Sequence, residues 1–427
     1  MNTPVYIVDG PRTPFCKLGT DLAGSDAVDL GRTAAAALLA RTGLDPALID
    51  EVIFGCVGQP IDAVNLSRVI ALRAGVPAHV PAMTVHRNCA SGFESLTTAA
   101  DRIAAGRGDI YLVGGTESMT HYPLIYNDAA VKKFTALSRA RTPLQKLAAL
   151  ARFRPRDFSP RISLRLGLTD PVCGLNMGQT AEKLARDFRI SREAQDAFAL
   201  RSHQRATAAR EKLADEITPA YPRGTGHAVT LDNGVRENQT PDALAKLRPF
   251  FDRHGGTVTA GNASQVTDGG CALLVMSEAS LRRTGLTPLG RLVGHAYAGC
   301  EPSRMGLGPV HAIARAEQFT GLKLADAELI ELNEAFAVQV LACQAAARSA
   351  DYAKKHLGRD TPLGEIPDEI LNVNGGAVAL GHPVGATGAR LVLTALKELH
   401  RHRARRALVT LCIGGGQGGA LWLEAAS

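Results

Sequence analysis

Apolar residues along the chain carry two periodic signals. Short runs, Val5 to Val8, the EVIFG run closing at Gly55, Met83 to His86, Ile110 to Val113 and Ala407 to Leu411, read as buried strands. Longer small-residue stretches, about Phe93 to Ala105 and Ala389 to Leu399, read as helices, and a further helical stretch lies around Gly178 to Leu213. Alternation of helices with apolar strands predicts an α/β protein of layered sheets covered by helices.

The pattern also repeats. TGLDPALIDEVIFG (Thr42 to Gly55) aligns without a gap to TGLKLADAELIELN (Thr320 to Asn333), each a helix ending at glycine, a short turn and a buried strand. A second echo follows in the same order. Ala90-Ser91-Gly92 opens a helix followed by the strand Ile110 to Val113, which ends in Gly114-Gly115; Ala386-Thr387-Gly388 opens another, followed by Ala407 to Leu411 and ending near Gly414-Gly415. Two echoes predict a duplicated α/β unit. Its first half is expected over 1–119, completed by about 261–285, and its second over 286–427. The stretch 120–260, which breaks the pattern and contains a Pro/Gly/Asn-rich passage from Pro219 to Gln239, reads as an inserted loop domain.

Composition narrows the reading. At 427 residues and 45% hydrophobic, the chain can bury two or three cores, and its 43 glycines against 5% aromatics suit many tight turns. The net charge of +7 is local: ten Lys and Arg residues lie between Val131 and Leu166 against Asp157 alone, an excess above that of the whole chain. Such a patch does not mark a general nucleic-acid binder. Within it Leu144, Leu147 and Leu150 recur at three-residue spacing, with Ala148 and Ala151 beside them and Lys146 and Arg152 off the stripe, which describes a basic amphipathic helix. The eight cysteines form no CxxC pair and no zinc spacing, so they are expected to be free thiols in a reducing, cytoplasmic setting. No run reaches the roughly 18 apolar residues of a membrane span. The opening residues, which go straight into a strand, show neither an apolar signal core nor an Arg/Ser-rich transit segment, so a targeting segment is not expected.

Three glycine-rich turns carry the chemistry. Cys89 in HRNCASGFESL stands where a strand gives way to a helix, and a thiol at a helix N-terminus is expected to have a lowered pKa. Alone it would read as a buried structural cysteine, but Asn88 and Ala90-Ser91-Gly92 leave the sulfur reachable. His382 in NGGAVALGHPVGATGAR sits on a rigid Gly-His-Pro turn, from which an imidazole can take a proton. Cys412 in VTLCIGGGQGG ends an apolar strand before a glycine run whose N–H groups can approach an oxyanion. Together they form an acyl-transfer set, one sulfur holding an acyl group while the other moves a proton. Asn333 in ELNEAF can hold a water or a carbonyl oxygen, and Phe336 can wall a narrow tunnel. No GxGxxG follows the first strand, which argues against a dinucleotide site.

CASG, NEAF, GHP with its glycines and CIGGG, together with DGPRTPF, MGQTAEKLA and GTVTAGNAS, resemble the thiolases over essentially the whole chain. The resemblance implies a duplicated five-layer αβαβα fold with a loop domain inserted in the first half. By motif it implies Cys89 as the acylated nucleophile, His382 as its base and Cys412 as the acid/base at the acetyl-CoA carbon. Asn333, through a water, and His382 would form one oxyanion hole, and the N–H groups of Cys89 and Gly414 the other. Coenzyme A would be a substrate, with no bound cofactor and no metal; Arg236 would meet its adenine, Ser264 its pantetheine, and Met177, Ala335 and Phe336 would line the tunnel. The implied activity is thiolytic cleavage of 3-ketoacyl-CoA, with biosynthetic condensation of two acetyl groups and a non-catalytic lipid carrier as alternatives. A homodimer or homotetramer is implied. Two departures stand out: Gln265, Val266 and Thr267 follow NAS where short members continue with Gly and a Leu/Ile-Asn pair, and Ala243 replaces a serine. The long insertion resembles that of β-subunits of fatty-acid oxidation complexes, although those usually carry His where this chain has Asn333. It implies docking through 131–166 to a hydratase–dehydrogenase subunit or an anionic membrane surface.

Overall fold

The computed structural model describes residues 4–426. The first half runs β1 (Val5–Ile7), α1 (Ala27–Thr42), β2 (Glu51–Gly55), α2 (Leu66–Arg73), β3 (Ala82–Val85), α3 (Ser91–Ala104), β4 (Ile110–Glu117). The intervening stretch carries α4 (Asp128–Arg139), α5 (Pro143–Leu150), α6 (Met177–Asp187) and α7 (Arg192–Ala208). Then come β5 (Thr267–Ser277), β6 (Gly290–Gly299), α8 (Gly308–Thr320), β7 (Leu329–Leu332), α9 (Ala337–Ala347), α10 (Val384–His402), β8 (Arg406–Ile413) and β9 (Gln417–Ala425).

The duplication is visible in the pairing. In the first half β2 is parallel to both β3 and β4, while β5 is antiparallel to β4 and to β1. In the second, β7 is parallel to β8 and to a bridge at Leu371, while β9 is antiparallel to β8 and to β6. An antiparallel β1–β6 contact joins the halves, giving the strand order β7-β8-β9-β6-β1-β5-β4-β2-β3. The gapless echo marks corresponding turns: Gly43 and Gly321 both end their helices in the left-handed region, and a short 3-10 turn then feeds β2 or β7.

Side chains alternate between layers with period two, as a strand buried on both faces requires. Ile53 faces a core shared with α3 and α10, whereas Val52 and Phe54 face a core with α1 and α2. Ala407 and Val409 face the same central core, and Leu408 faces α8 and α9. The layers are therefore α1/α2, sheet, α3/α10, sheet, α8/α9: the five-layer αβαβα arrangement.

Two boundaries differ from the pattern reading. β4 continues through Gly114 and Gly115 to Glu117, because the glycines serve close packing and not a turn. A Cβ on Gly115 would lie 1.9 Å from the Gly385 carbonyl oxygen at the start of α10. Pairing registers also set Gly55 opposite Gly115 and Leu332 opposite Thr410, so that Thr116, not a glycine, corresponds to Cys412. The basic stripe does form a helix, α5, capped by Thr142 and Gln145 in a capping box. Its leucines do not face a core: Leu144, Leu147 and Leu150 are 78%, 65% and 52% exposed.

Gly115→Ala is expected to lower unfolding stability by about 1–3 kcal/mol, the usual range for overpacking, because the obstacle is backbone and cannot rotate away. Urea denaturation followed by circular dichroism measures this; a loss below experimental error would show that α10 can shift outward.

Candidate active site

The N-terminal ends of the two central helices meet where Cys89 and His382 stand. A Cβ on Gly92 would lie 2.6 Å from the Ala389 nitrogen, and one on Gly388 would lie 2.5 Å from the Phe93 nitrogen. Only glycines permit that backbone approach, and it draws the turn before α3 to the turn before α10. Asn88 takes a left-handed φ of 44°, which Asn tolerates better than most residues. Its side-chain nitrogen donates to the Gly414 carbonyl at 2.7 Å, tying the Cys89 turn to the glycine run after β8. The Cys89 sulfur in turn receives backbone N–H groups of Gly414 and of Cys89 itself. Those are the two donors the sequence reading assigns to one oxyanion hole.

Charge states follow from burial. Burial pushes the Cys89 thiol up to about 11, although the two N–H groups oppose it. A helix terminus contributes about 0.3–1 kcal/mol, less than one pKa unit at about 1.4 kcal/mol each. The dipole therefore loses to desolvation, contrary to the expectation of a lowered pKa, and the thiol needs a base. Cys412, buried at the end of β8, is pushed well above the usual thiol range by burial and then by the nearby Cys89. His382 is lowered to about 3, first by burial and then by Arg390.

The tautomer of His382 is set locally. Nδ1 lies 2.6 Å from the Thr387 hydroxyl, which also lies 3.4 Å from the Pro383 carbonyl oxygen. With its single proton donated to that carbonyl, the hydroxyl accepts from Nδ1–H. Nε2, which has no protein partner among the described residues, is left with a lone pair to accept a proton. Asn333 is fully buried, and neither its oxygen nor its nitrogen has a protein partner among the described residues. Its backbone N–H donates to the Thr410 carbonyl at 3.0 Å, placing it beside the β8 end that carries Cys412.

A cavity of about 480 Å³ opens on Cys89, Gly414 and Met177. Met177 also packs against the apolar cluster that holds Ala335, Phe336 and Cys412, so one side chain touches both the cavity of Cys89 and the surroundings of the second thiol. The Ser264 N–H donates to the Ala335 carbonyl at 2.9 Å, setting half-buried Ser264 beside that cluster. His382, Cys412, Asn333, Ser264, Ala335, Phe336 and Arg236 are not among the residues lining that cavity; the Arg236 backbone N–H donates to Nδ1 of buried His203 at 3.1 Å, on a separate loop.

Four supporting residues escaped the sequence reading. Fully buried Glu117 accepts from the N–H groups of Val57, Gly58 and Gly385 at 2.8–3.0 Å, joining the first half to the start of α10. Fully buried Glu334 accepts from Ser202, Asn372 and the Val378 N–H, fixing the Asn333 turn against the segment before His382. The Gln265 side-chain amide donates to the Gly234 carbonyl at 2.9 Å, and the Gln265 backbone carbonyl accepts from the His382 N–H at 3.2 Å. Thr387 sets the His382 ring. An acidic residue among glycines at the end of an apolar strand was the available signal, since buried carboxylates are rare unless partnered.

Sequence models of the thiolase N-terminal and C-terminal domains match residues 5–279 and 286–425. The chain belongs to the thiolase family. It is 40% identical to a 3-ketoacyl-CoA thiolase of Yersinia enterocolitica and 41% identical to one of Yersinia pestis, in each case over 98% of this chain and 96% of the relative. Among solved structures, human mitochondrial 3-ketoacyl-CoA thiolase superposes with a TM-score of 0.86 at 37% identity, covering 100% of this chain and 99% of that one. An acetyl-CoA acetyltransferase of Bacillus anthracis gives 0.86 at 34% identity and full coverage of both. This thiolase is accordingly an acyltransferase.

With His382 lowered to about 3, single-turnover acylation of this thiolase at pH 8 to 5 should stay nearly flat, since the imidazole remains neutral throughout. The same shift has a stability consequence. A histidine lowered in the folded state favours folding above its unfolded pKa of about 6.5 and loses that contribution as pH falls toward 3. Quenched-flow mass spectrometry decides the first part; acylation that falls away with an apparent pKa near 6.5 would contradict a buried neutral base.

Proposed function

We propose that this thiolase cleaves 3-ketoacyl-CoA with coenzyme A, and that Cys89 carries the acyl group between the two half-reactions. The observation that carries the reading is the nearness of two thiols, Cys89 with two N–H groups aimed at its sulfur and buried Cys412 behind Met177. Coenzyme A is a substrate; one related human structure is a complex with it, with a TM-score of 0.85 and 37% identity.

The protons balance over one cycle. His382 Nε2 takes the Cys89 proton as sulfur attacks the C3 carbonyl, whose oxyanion is received at one of the two holes. The C2–C3 bond breaks and Cys412 gives its proton to C2, releasing acetyl-CoA. Coenzyme A then yields its thiol proton to the Cys412 thiolate and attacks the acyl-Cys89 thioester. The departing Cys89 sulfur recovers its proton from His382, and acyl-CoA leaves. The reverse sequence is a Claisen condensation through the same groups, so direction follows metabolite levels. Neutral resting groups suit this relay, since no buried charge waits uncompensated between turnovers.

Arg236, Ser264, Met177, Ala335 and Phe336 serve the coenzyme in this reading. The position of Ser264 beside the Cys412 cluster supports its pantetheine role, and Arg236, farther out, suits the adenine end. The three-part division at about 119, 260 and 285 is likewise our reading, as is a homodimer or homotetramer. Eight unbridged cysteines support a cytoplasmic setting.

Cys89→Ser should abolish covalent acylation, because an alcohol is far less ionised than a thiol. Cys412→Ala should still be acylated on Cys89 by acetyl-CoA but fail at carbon–carbon cleavage or formation. Intact-mass spectrometry with a DTNB thiol-release assay separates these; loss of acylation with normal thiolysis in Cys412→Ala would reverse the roles.

The exposure of α5 supports docking of the basic insertion onto an anionic membrane face. Burying a leucine is worth about 1.5–3 kcal/mol, and each Lys or Arg near anionic lipid adds roughly 1 kcal/mol. Replacing Arg152, Arg154 and Arg156 together with Glu should weaken co-sedimentation with phosphatidylserine vesicles at low salt and leave turnover of short substrates unchanged. Absence of vesicle binding by the parent protein would end the membrane reading, and co-sedimentation with a hydratase–dehydrogenase subunit instead would replace it.

A further inference from the structure

The cavity at Cys89 has a wall that the relay does not use. Besides the nucleophile it is lined by Val57, Met119, Leu164, Leu168, Val172 and Tyr122, while the polar groups of Thr169 and Asn88 are committed elsewhere, donating to the Arg165 carbonyl at 2.9 Å and to the Gly414 carbonyl at 2.7 Å. Asp170 also borders it, but one of its carboxylate oxygens accepts from the N–H groups of Val172 and Cys173 at 2.8 and 2.9 Å and is occupied within its own turn. A space of this character takes an acyl chain.

Tyr122 is held from two sides. Its hydroxyl donates to Glu117 Oε1 at 3.0 Å, the carboxylate that also fixes the Val57–Gly58 turn and the start of α10. Its ring lies against Gly58 so closely that a Cβ there would sit 1.9 Å from a ring carbon. A tyrosine tied by its hydroxyl and pressed on a glycine backbone cannot swing out of the cavity without breaking both contacts. Tyr122 and Cys89 line the same cavity, which places the phenol in the space the nucleophile faces.

We propose that Tyr122 is a specificity-determining residue: its ring, held in register by Glu117 and Gly58, fills part of the acyl cavity beside Cys89 and limits the length of straight-chain acyl group the nucleophile can carry. This rests on the reading of Cys89 as the acylated residue. The ring exerts its effect by occupying volume, so the substituent that matters is the aromatic carbon skeleton and not the hydroxyl.

The test compares kcat/KM for acetoacetyl-CoA and for 3-ketoacyl-CoAs up to sixteen carbons in the parent, Tyr122→Phe, Tyr122→Ala and Tyr122→Leu. In a hydrophobic pocket one methylene changes kcat/KM by about 10-fold or more. Tyr122→Ala should therefore raise the long-to-short ratio by at least about 10-fold, with Tyr122→Leu between it and the parent. Tyr122→Phe should keep the parent's ratio even though Glu117 loses a donor. A Tyr122→Ala ratio equal to the parent's, or an equal change in Tyr122→Phe, overturns the proposal. Should Tyr122→Ala not fold, as judged by circular dichroism, Tyr122→Leu decides by the same ratio. A parent protein that turns over no 3-ketoacyl-CoA sinks the acyl-transfer reading itself; an active parent with unmoved ratios sinks only the role of Tyr122.

Discussion

Everything in the site depends on how closely two helix N-termini approach. Gly92 and Gly388 let the backbones of α3 and α10 touch at their first turns, with Gly115 and Gly385 completing the contact from β4. Side chains at those positions would hold the helices apart at an ordinary interaxial distance, about 8–10 Å. The turns bearing Cys89 and His382 would then separate, and the proton transfer proposed between them needs a base within hydrogen-bonding reach of its partner. The central layer thus fixes reactive geometry with backbone, the least compliant material a protein has.

Burying that geometry has an electrostatic consequence. Desolvation raises both thiols and lowers the imidazole, so each group rests in its neutral form. A permanent thiolate–imidazolium pair there would face a desolvation cost of several kcal/mol per ion. A neutral pair avoids that cost, and in the proposed relay it forms charge only as the substrate carbonyl develops its own, beside the N–H groups of Cys89 and Gly414. The exposed-thiol logic, in which a helix dipole alone activates a cysteine, does not describe this site.

The gapless echo between Thr42–Gly55 and Thr320–Asn333 made the duplication legible, because matched glycine caps and turns dictate matched backbone. The reactive turns were legible for a similar reason: cysteine or histidine amid glycine is unusual composition. Glu117, Glu334 and Gln265 were not, since their role lies in bonds to backbone groups distant in sequence, 268 residues away for Glu117 and Gly385. Nor could periodicity settle α5. An apolar stripe is the same string of letters whether it meets a core or solvent, and only the surrounding chain shows that Leu144 stays largely exposed. The run through Gly114 and Gly115 was misread as a strand end because close packing and tight turning select the same residue.

The duplication also explains why only one half supplies the second thiol. At the place of Cys412 the first half has Thr116, whose hydroxyl donates to the Ala27 carbonyl at 2.7 Å and so is committed to α1. At the place of Asn333 it has Gly55, where any Cβ would lie 2.4 Å from the Ser91 backbone. Packing consumes both positions in the first half, while in the second Cys412 joins the apolar cluster around Phe336 and the Asn333 side chain stays without a protein partner among the described residues. The first copy thus contributes the Cys89 turn and a strand end closed by packing, and the second carries His382, Asn333 and Cys412. Glu117, one residue beyond Thr116, is the point where the two meet, since its carboxylate holds α10 from the first-half strand. A symmetric site would need both strand ends free, and the close approach that brings Cys89 to His382 forbids that.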